Sequence, residues 1–394
     1  MQNNLSSRIS PSISPDVTIL GAGPIGLASA ILLLERNSDL RLALYDKFPE
    51  SNDPITQGDS RGIAISEGSK QLLASIGAWN LEAPEIHEVH ISQRHHFGQT
   101  VIRKNELGKD ALGYIVRYRD IHLQLRLRLK ALQAESPNFT WQFSTTRSDF
   151  LDMPKSTCCI HAEGGLFHEQ TAKDRRTDYA QSALIGWVET KDITENIAWE
   201  RFTAEGPLAL LPHHQGKNAR NLVWCASPSR VEELKNLEAS EFLSALREEF
   251  GLPVGEFMQI HDRRSYPLGL NIRESIIDGH HVWIGNAAQT LHPVAGQGLN
   301  LGLRDAATLS QCLGPVYLNA SEKQAANLEL ALIHYAKLRE KDRRATIGLT
   351  DLMARVFATD LAPVVLGRGL ALSILQWIPP LKSAIAKQMM FGQR

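Results

Sequence analysis

Two glycine-rich segments carry the residue types best suited to chemistry. The first, Gly21-Ala22-Gly23-Pro24-Ile25-Gly26, follows the β-branched run Val17 to Leu20 and precedes the helix-forming run Leu27 to Leu34. Asp46 stands 20 residues beyond Gly26, at the end of a second apolar run, Leu40 to Tyr45. The pattern describes a strand, a tight turn, a helix and a second strand that ends in an acid. Gly21 permits the turn, Gly23 lets a pyrophosphate approach the backbone, and Gly26 lets helix and strand pack closely. Asp46 would accept hydrogen bonds from ribose hydroxyls. A glycine turn in an α/β core with no ligand is the plainer alternative, and the four features together outweigh it.

The second segment runs from Trp283 to Asp305 and includes Gly285-Asn286-Ala287-Ala288-Gln289 and Pro293-Val294-Ala295-Gly296-Gln297-Gly298-Leu299-Asn300. It reads as a strand, Val282 to Ile284, then a loop, then a helix beginning near Leu299. Backbone N–H groups at a helix start form an anion site. Gly296 and Gly298 lack a Cβ, so a flat ligand can come close. Together the two segments suggest one dinucleotide held at both ends.

These segments need a frame to position them. The first gives a βαβ unit, and residues 1–15, rich in Ser, Asn and Pro, read as disordered. Residues 49 to 62 read as a polar functional loop. Ser66 to Trp79 reads as a helix, with Ser66 as N-cap and Gly77 closing it. Asp120 to Leu132 has helical spacing at Ile121, Leu125, Leu129 and Leu132. Strands are expected at Phe139–Phe143, Thr157–Ala162, Ser182–Val188, Ile197–Thr203, Leu208–Leu211 and Leu222–Cys225, and a helix at Glu238–Phe250. The fold class is α/β: a Rossmann-like nucleotide-binding domain interleaved with a sheet-rich domain, followed by a helical C-terminus. The expected divisions are 15–80, 112–180 and 270–350 for the first domain, 81–111 and 181–269 for the second, and 351–394 for the helical end.

The composition narrows the partners. Length suggests two or three domains. Net charge is −1 and the basic residues are dispersed, which argues against nucleic acid as a partner. Four cysteines cannot build a disulfide framework, and Cys158-Cys159 sits in an apolar run that reads as a buried strand. None of the 14 histidines falls in a metal-ligand spacing, so no metal is expected. The uncharged run Val17 to Leu34 is broken by glycines and a proline, which favours strand, turn and helix over a membrane span.

In this context the chain resembles the flavin-dependent aromatic hydroxylases, and among them the ubiquinone-biosynthesis hydroxylases. The matching pieces are Gly21 to Gly26, Asp59-Ser60-Arg61, Leu112 to Asp120, Glu200-Arg201-Phe202 with Gly206 to Pro212, Tyr266-Pro267-Leu268, and the 283–305 segment. They span about Val17 to Gly392. The resemblance implies FAD contacts at Gly21, Gly23, Gly26, Asp46, Arg61, Arg119, Glu163, Asn286, Pro293, Gly296, Gly298, Leu299 and Asn300. It implies NAD(P)H as electron donor, O2 as co-substrate, and ring hydroxylation of a polyprenylated phenol through a C4a-hydroperoxyflavin. N–H groups around Gly298 to Asn300 would meet negative charge near flavin N1 and O2.

Two departures stand out. The family usually has Gly-Asp-Ala-Ala-His where this chain has Gly285-Asn286-Ala287-Ala288-Gln289, and Ala-Asp-Gly where it has Ala162-Glu163-Gly164. The Asn/Gln form resembles the 2-polyprenyl-6-methoxyphenol hydroxylase branch. No general base is evident; His292 and Tyr266 are each open between a direct role and a structural one. Trp187, Trp199, Phe202, Phe257 and Tyr266 are open between a substrate pocket and sheet core. Leu361 to Met390 is apolar and broken at Pro379-Pro380. It reads either as amphipathic helices resting on a membrane or as packing against the enzyme body.

Two alternatives accompany the main reading: a hydroxylase of a small soluble aromatic, and a non-catalytic flavin-fold assembly subunit. The expected partners are a lipid-like phenol, proteins of a ubiquinone-biosynthesis complex and a second copy of the chain. The expected location is cytoplasmic, at the periphery of the inner membrane.

Overall fold

The computed structural model describes residues 14–49, 61–145, 156–165, 167–251, 254–318, 324–356 and 362–392. Residues 1–13, most of the 49–62 loop with Asp59 and Ser60, and Leu361 lie outside this set.

The first sheet has six strands in the order Ile277–Asp278, His281–Trp283, Cys158–His161, Val17–Leu20, Leu42–Tyr45 and Phe139–Gln142. All pair in parallel except the short hairpin Ile277–Asp278 with His281–Trp283. Val17–Leu20 and Leu42–Tyr45 are buried at every position, as parallel strands covered on both faces must be. The helices Pro24–Arg36, Tyr118–Gln133 and Gln297–Leu318 share one apolar core with this sheet. Ile121, Leu125, Leu129 and Leu132 are all buried there, as their spacing predicts.

The second sheet has eight strands in the order Gln289–Thr290, Glu256–Ile272, Arg175–Lys191, Ala219–Ala226, Pro207–Pro212, Ile197–Phe202, Glu88–Gln93 and Gln99–Arg103. Its outer face packs Trp224, Phe242, Leu246 and Phe250 against the helices Pro228–Asn236 and Ala239–Phe250. A small sheet of Gly62–Ser66, Gly113–Arg117 and Glu85–Ile86 bridges the two.

Several elements differ from expectation for physical reasons. Glu256–Ile272 is a 17-residue strand where the sequence shows no strand pattern. Its pairing with Arg175–Lys191 has three register shifts, which scramble the two-residue period. It also contains Pro267. On the far side of this strand the neighbour Gln289–Thr290 pairs only with Asn271 and Ile272, so the prolyl nitrogen interrupts no ladder. Gly62–Ser66 is a strand rather than the end of a loop. The helix after it stops at Ser75, with Ser66 Oγ accepting from the Ser69 N–H at 3.3 Å and Gly77 at φ +65°.

Among the described residues after Gly296 there are four helices: Gln297–Leu318, Gln324–Val356, Ala362–Trp377 and Pro379–Phe391. The last two meet at a 99° bend, and among the described residues no single helix is long and apolar enough to cross a membrane.

Candidate functional site

The first glycine turn is set by steric need. Gly21 has φ +96°, and a Cβ there would lie 2.9 Å from the Ala162 carbonyl and the Glu163 nitrogen. A Cβ on Gly26 would lie 1.9 Å from the Gly21 oxygen, so only glycine lets this helix start so near its strand. Gly23 is the N-cap and Pro24 opens the helix, leaving its first amides free to face a ligand.

The second segment approaches from the opposite side. A short 3-10 turn, Val294–Gly296, leads into the helix at Gln297, two residues before the expected start. Gly296 has φ +59° and touches Ala64, whereas a Cβ on Gly298 would meet open space. Asn300 is a clamp. Its Nδ2 donates to the Ala64 and Gly296 carbonyls at 2.9 and 2.8 Å, and its Oδ1 accepts from the Ser66 N–H at 2.9 Å. Its side chain therefore fixes the loop, and only its backbone N–H remains for a ligand.

Both segments border one cavity of about 2160 Å³. That is roughly twice the upper end of ordinary ligand pockets, so it has room for a dinucleotide and a second molecule. Gly21, Gly23, Asp46, Arg61, Glu163, Asn286, Pro293, Gly296, Gly298, Leu299 and Asn300 all line it. Gly26 packs behind the turn. Arg119 is not in the wall; its Nε faces Asp120 Oδ1 at 3.6 Å, while Tyr118 beside it lines the cavity. The Arg61 guanidinium lies over the rings of Tyr266 and Tyr118, at 5.0 and 5.7 Å.

The two departures separate once placed. Asn286 lines the cavity, with Nδ2 donating to the Gly165 carbonyl at 3.4 Å. Gln289 is 2% exposed and faces away from it. There Gln289 Nε2 donates to Asp305 Oδ2 at 2.7 Å, and its Oε1 accepts from Arg343 Nε at 2.8 Å. Asp305 also accepts from the Gly285 N–H at 3.1 Å and from Arg339 Nε at 2.8 Å. Gln289 thus ties the 285–290 loop to two long helices and is a structural residue. Glu163 accepts from His161 Nδ1–H at 3.0 Å, which leaves His161 Nε2 to accept from His281 Nδ1–H at 3.0 Å. The ligating atoms of Cys159, His161 and His281 all lie within 4.8 Å of one another, and the hydrogen bond between the two rings occupies the gap.

His292 is buried beside the cavity. Its Nδ1 accepts from the Val294 N–H at 3.2 Å, so Nε2–H donates to Gln181 Oε1 at 3.3 Å. Burial pushes it down to about 4, which keeps the ring neutral and makes it a shaper of the turn. Lys173 went unnoticed in the sequence. Its Nζ reaches the Asn286 carbonyl at 2.6 Å, and burial, with Arg273 and Arg176 nearby, lowers it to about 8. Of the five aromatic candidates, Trp199, Phe202 and Tyr266 line the cavity. Phe257 is core, and Trp187 stacks between His213 and His261 away from the cavity.

The far arm of the cavity is apolar. Ile91, Ala209, Leu211 and Val223 of the large sheet face Ala371, Leu375, Ile385 and Met389 of the last two helices. The outer side of the same helices is also apolar: Leu366 is 54% exposed, Leu370 and Ile374 50%, and Trp377, at the bend, 83%.

This fold, with a glycine turn and a helix start facing each other across one cavity, is that of the FAD-dependent aromatic monooxygenases. The FAD binding domain family matches residues 171–327. The structure of PqsL, a probable FAD-dependent monooxygenase from Pseudomonas aeruginosa, superposes with a TM-score of 0.69 at 16% identity, covering 91% of this chain and 99% of that one. More particularly, the chain is similar along nearly its whole length to hydroxylases of ubiquinone biosynthesis. Ubiquinone hydroxylase UbiL of Rhodospirillum rubrum is 29% identical, over 95% of this chain and 89% of its own. The mitochondrial ubiquinone biosynthesis monooxygenase COQ6 of Danio rerio is 26% identical, over 94% and 88%.

Proposed function

We propose that this protein is an FAD-dependent hydroxylase of an isoprenoid-tailed phenol in ubiquinone biosynthesis, drawing electrons from NAD(P)H and oxygen from O2. The observation that carries the reading is the continuity of the cavity. A dinucleotide cradle at one end opens into an apolar arm at the other, walled by sheet and helices, which suits a ring with a long hydrocarbon tail.

The residues present fit FAD. Gly21, Gly23 and the helix start at Pro24 would hold the pyrophosphate, and Asp46 the adenosine ribose. Asn286 would hold the ribityl chain, and the amides of Gly298 to Asn300 would face the ring's pyrimidine edge. When bound, the flavin supplies the activated oxygen; the protein orients the phenol and excludes water. Similarity to UbiL and COQ6 supports the pathway, and the 2-polyprenyl-6-methoxyphenol substrate is our specific assignment within it. Because Gln289 serves the helix network rather than the cavity, it lends no weight to a relic without flavin.

The exposed apolar stripe Leu366, Leu370, Ile374 and Trp377 supports a location at the membrane periphery, where such a substrate resides. The test is direct. The purified chain should bind FAD and show a flavin spectrum. With reduced nicotinamide it should convert a 2-polyprenyl-6-methoxyphenol to a product heavier by one oxygen. A colourless protein that rejects added FAD, or a loaded one that hydroxylates only small soluble phenols, overturns the proposal.

A further inference from the structure

One side chain in the apolar arm has no structural reason to be there. In the large sheet, Ile91, Glu200, Ala209, Val223 and Ile185 form one row across five adjacent strands. All five line the cavity, and every member except Glu200 is apolar. Glu200 is also the sole acid that the large sheet contributes to the cavity wall.

A carboxylate in such a row is costly unless it is paired or hydrogen-bonded. Glu200 makes no hydrogen bond or ion pair with any described residue. Other cations that line the cavity are engaged elsewhere: Arg368 donates to the Val356 carbonyl at 2.9 Å, Lys173 to that of Asn286, Arg61 lies over its two tyrosines, Lys47 over Phe48 and Arg273 over Trp283. Arg264, the cation that the large sheet contributes to the wall, forms no ion pair with Glu200. The titratable neighbour is Cys225 on Ala219–Ala226, whose thiol burial and Glu200 push upward. Ala209, directly opposite on the next strand, is small and leaves space over the carboxylate.

We infer that Glu200 is the group that takes the proton from the phenolic hydroxyl of the substrate. This rests on the reading of the cavity as a phenol hydroxylase site. The phenol O–H bond breaks and a Glu200 O–H bond forms, while the electron pair stays on the phenolic oxygen and enriches the ring. An enriched ring is what an electrophilic oxygen donor requires. Burial alone raises Glu200 to about 7, so the carboxylate is available near neutrality and its proton affinity suits a general base. The phenol in turn supplies the hydrogen-bond donor that the protein withholds.

Glu200→Gln preserves shape and removes the base; Glu200→Asp keeps it on a shorter arm. The free phenol holds its proton about three pH units more tightly than Glu200, so in the resting complex a neutral phenol donates to the ionised carboxylate, and the proton passes as the ring is attacked. The probe is a 2-prenylphenol with a short isoprenoid chain, added to the FAD-loaded enzyme, and the proton released on binding is measured by calorimetry in buffers of different ionisation enthalpy. Near pH 7 the wild type should release a fraction of a proton, because the phenol's hydrogen bond favours ionised Glu200. Glu200→Gln should bind the phenol without that release, and Glu200→Asp should restore part of it. Glu200→Gln should also slow hydroxylation on the order of 100-fold or more, with flavin reduction within about threefold and peroxide released instead of product. An unchanged proton release in Glu200→Gln, or coupled hydroxylation within about threefold of wild type, overturns the inference. Proton release is read without turnover, so it judges Glu200 even if wild-type turnover of the phenol fails and with it the proposed reaction.

Discussion

Replacing Gln289 by alanine separates a structural role from a cofactor role. Gln289 bridges Asp305 Oδ2 and Arg343 Nε, both deeply buried, with bonds of 2.7 and 2.8 Å. The alanine variant leaves Asp305 Oδ2 with the Gly285 N–H alone. Arg343 retains the bond from Nη2 to the Arg273 carbonyl at 3.0 Å, and its Nε is left without a partner. Hydrogen bonds to charged groups contribute about 1.5–3 kcal/mol each, so two lost bonds predict a destabilisation of about 3–6 kcal/mol. Water entering the vacated space would bring the result toward the lower figure. Urea unfolding of the FAD-free protein measures this term, and quenching of flavin fluorescence measures FAD affinity. The midpoint should fall by the equivalent of about 3 kcal/mol or more, with FAD affinity within about threefold of wild type under native conditions. An unchanged urea midpoint with a tenfold or greater loss of FAD affinity would refute the reasoning and return Gln289 to the cofactor site.

The two glycine segments give contrasting variants. Gly26→Ala places a methyl 1.9 Å from the Gly21 oxygen and should yield protein with little or no bound flavin and a lowered midpoint. Gly298→Ala places its methyl in open space at the cavity wall and should leave the midpoint unchanged while weakening FAD, read as the flavin-to-protein ratio. His292 has a folded value near 4 against 6.5 when unfolded, so its contribution is present above pH 6.5 and is lost as pH falls toward 4. The loss is on the order of 3 kcal/mol, and His292→Gln should flatten the urea-midpoint profile across that window. His213, pushed down to about 3 by burial and by His214, adds a slope of the same sign that this variant leaves intact. The double variant Leu370→Glu, Trp377→Glu should lower pelleting with liposomes at least about tenfold while flavin content stays constant; unchanged pelleting removes the membrane proposal.

The parts legible in the sequence are those whose constraint is local. The close packing of Gly26 against Gly21 is dictated by a backbone clash five residues apart, and the strand at Cys158–His161 by a short apolar run. The helix Tyr118–Gln133 announces itself by spacing. What escaped notice depends on partners far along the chain. Lys173 meets Asn286 only through folding, and Gln289 looks like a cofactor residue until Arg343 and Asp305 close around it. Glu200 sits in a recognised motif, yet its isolation appears only when Ile91, Ala209, Val223 and Ile185 are aligned by sheet register. Pro267 concealed a long strand because the position that tolerates it is a local sheet edge. Arg119 shows the converse: it belongs to a matching segment, and its Nε faces Asp120 rather than the cavity wall.

The strand order of the first sheet has a consequence for synthesis of the chain. Val17–Leu20 is central, but its neighbours come from residues 42–45 and 158–161, and the sheet gains the parallel strand beyond them only with residues 281–283. Two helices share the apolar core of Pro24–Arg36: Tyr118–Gln133 and, far later, Gln297–Leu318. Part of the apolar flank of Pro24–Arg36 therefore stays uncovered until the chain has been made past Gln297. Domains fold most simply when their parts emerge together. Here the βαβ unit of Val17 to Tyr45 emerges well before Gln297–Leu318, which makes the nascent chain a natural client for chaperones that shield exposed apolar surface.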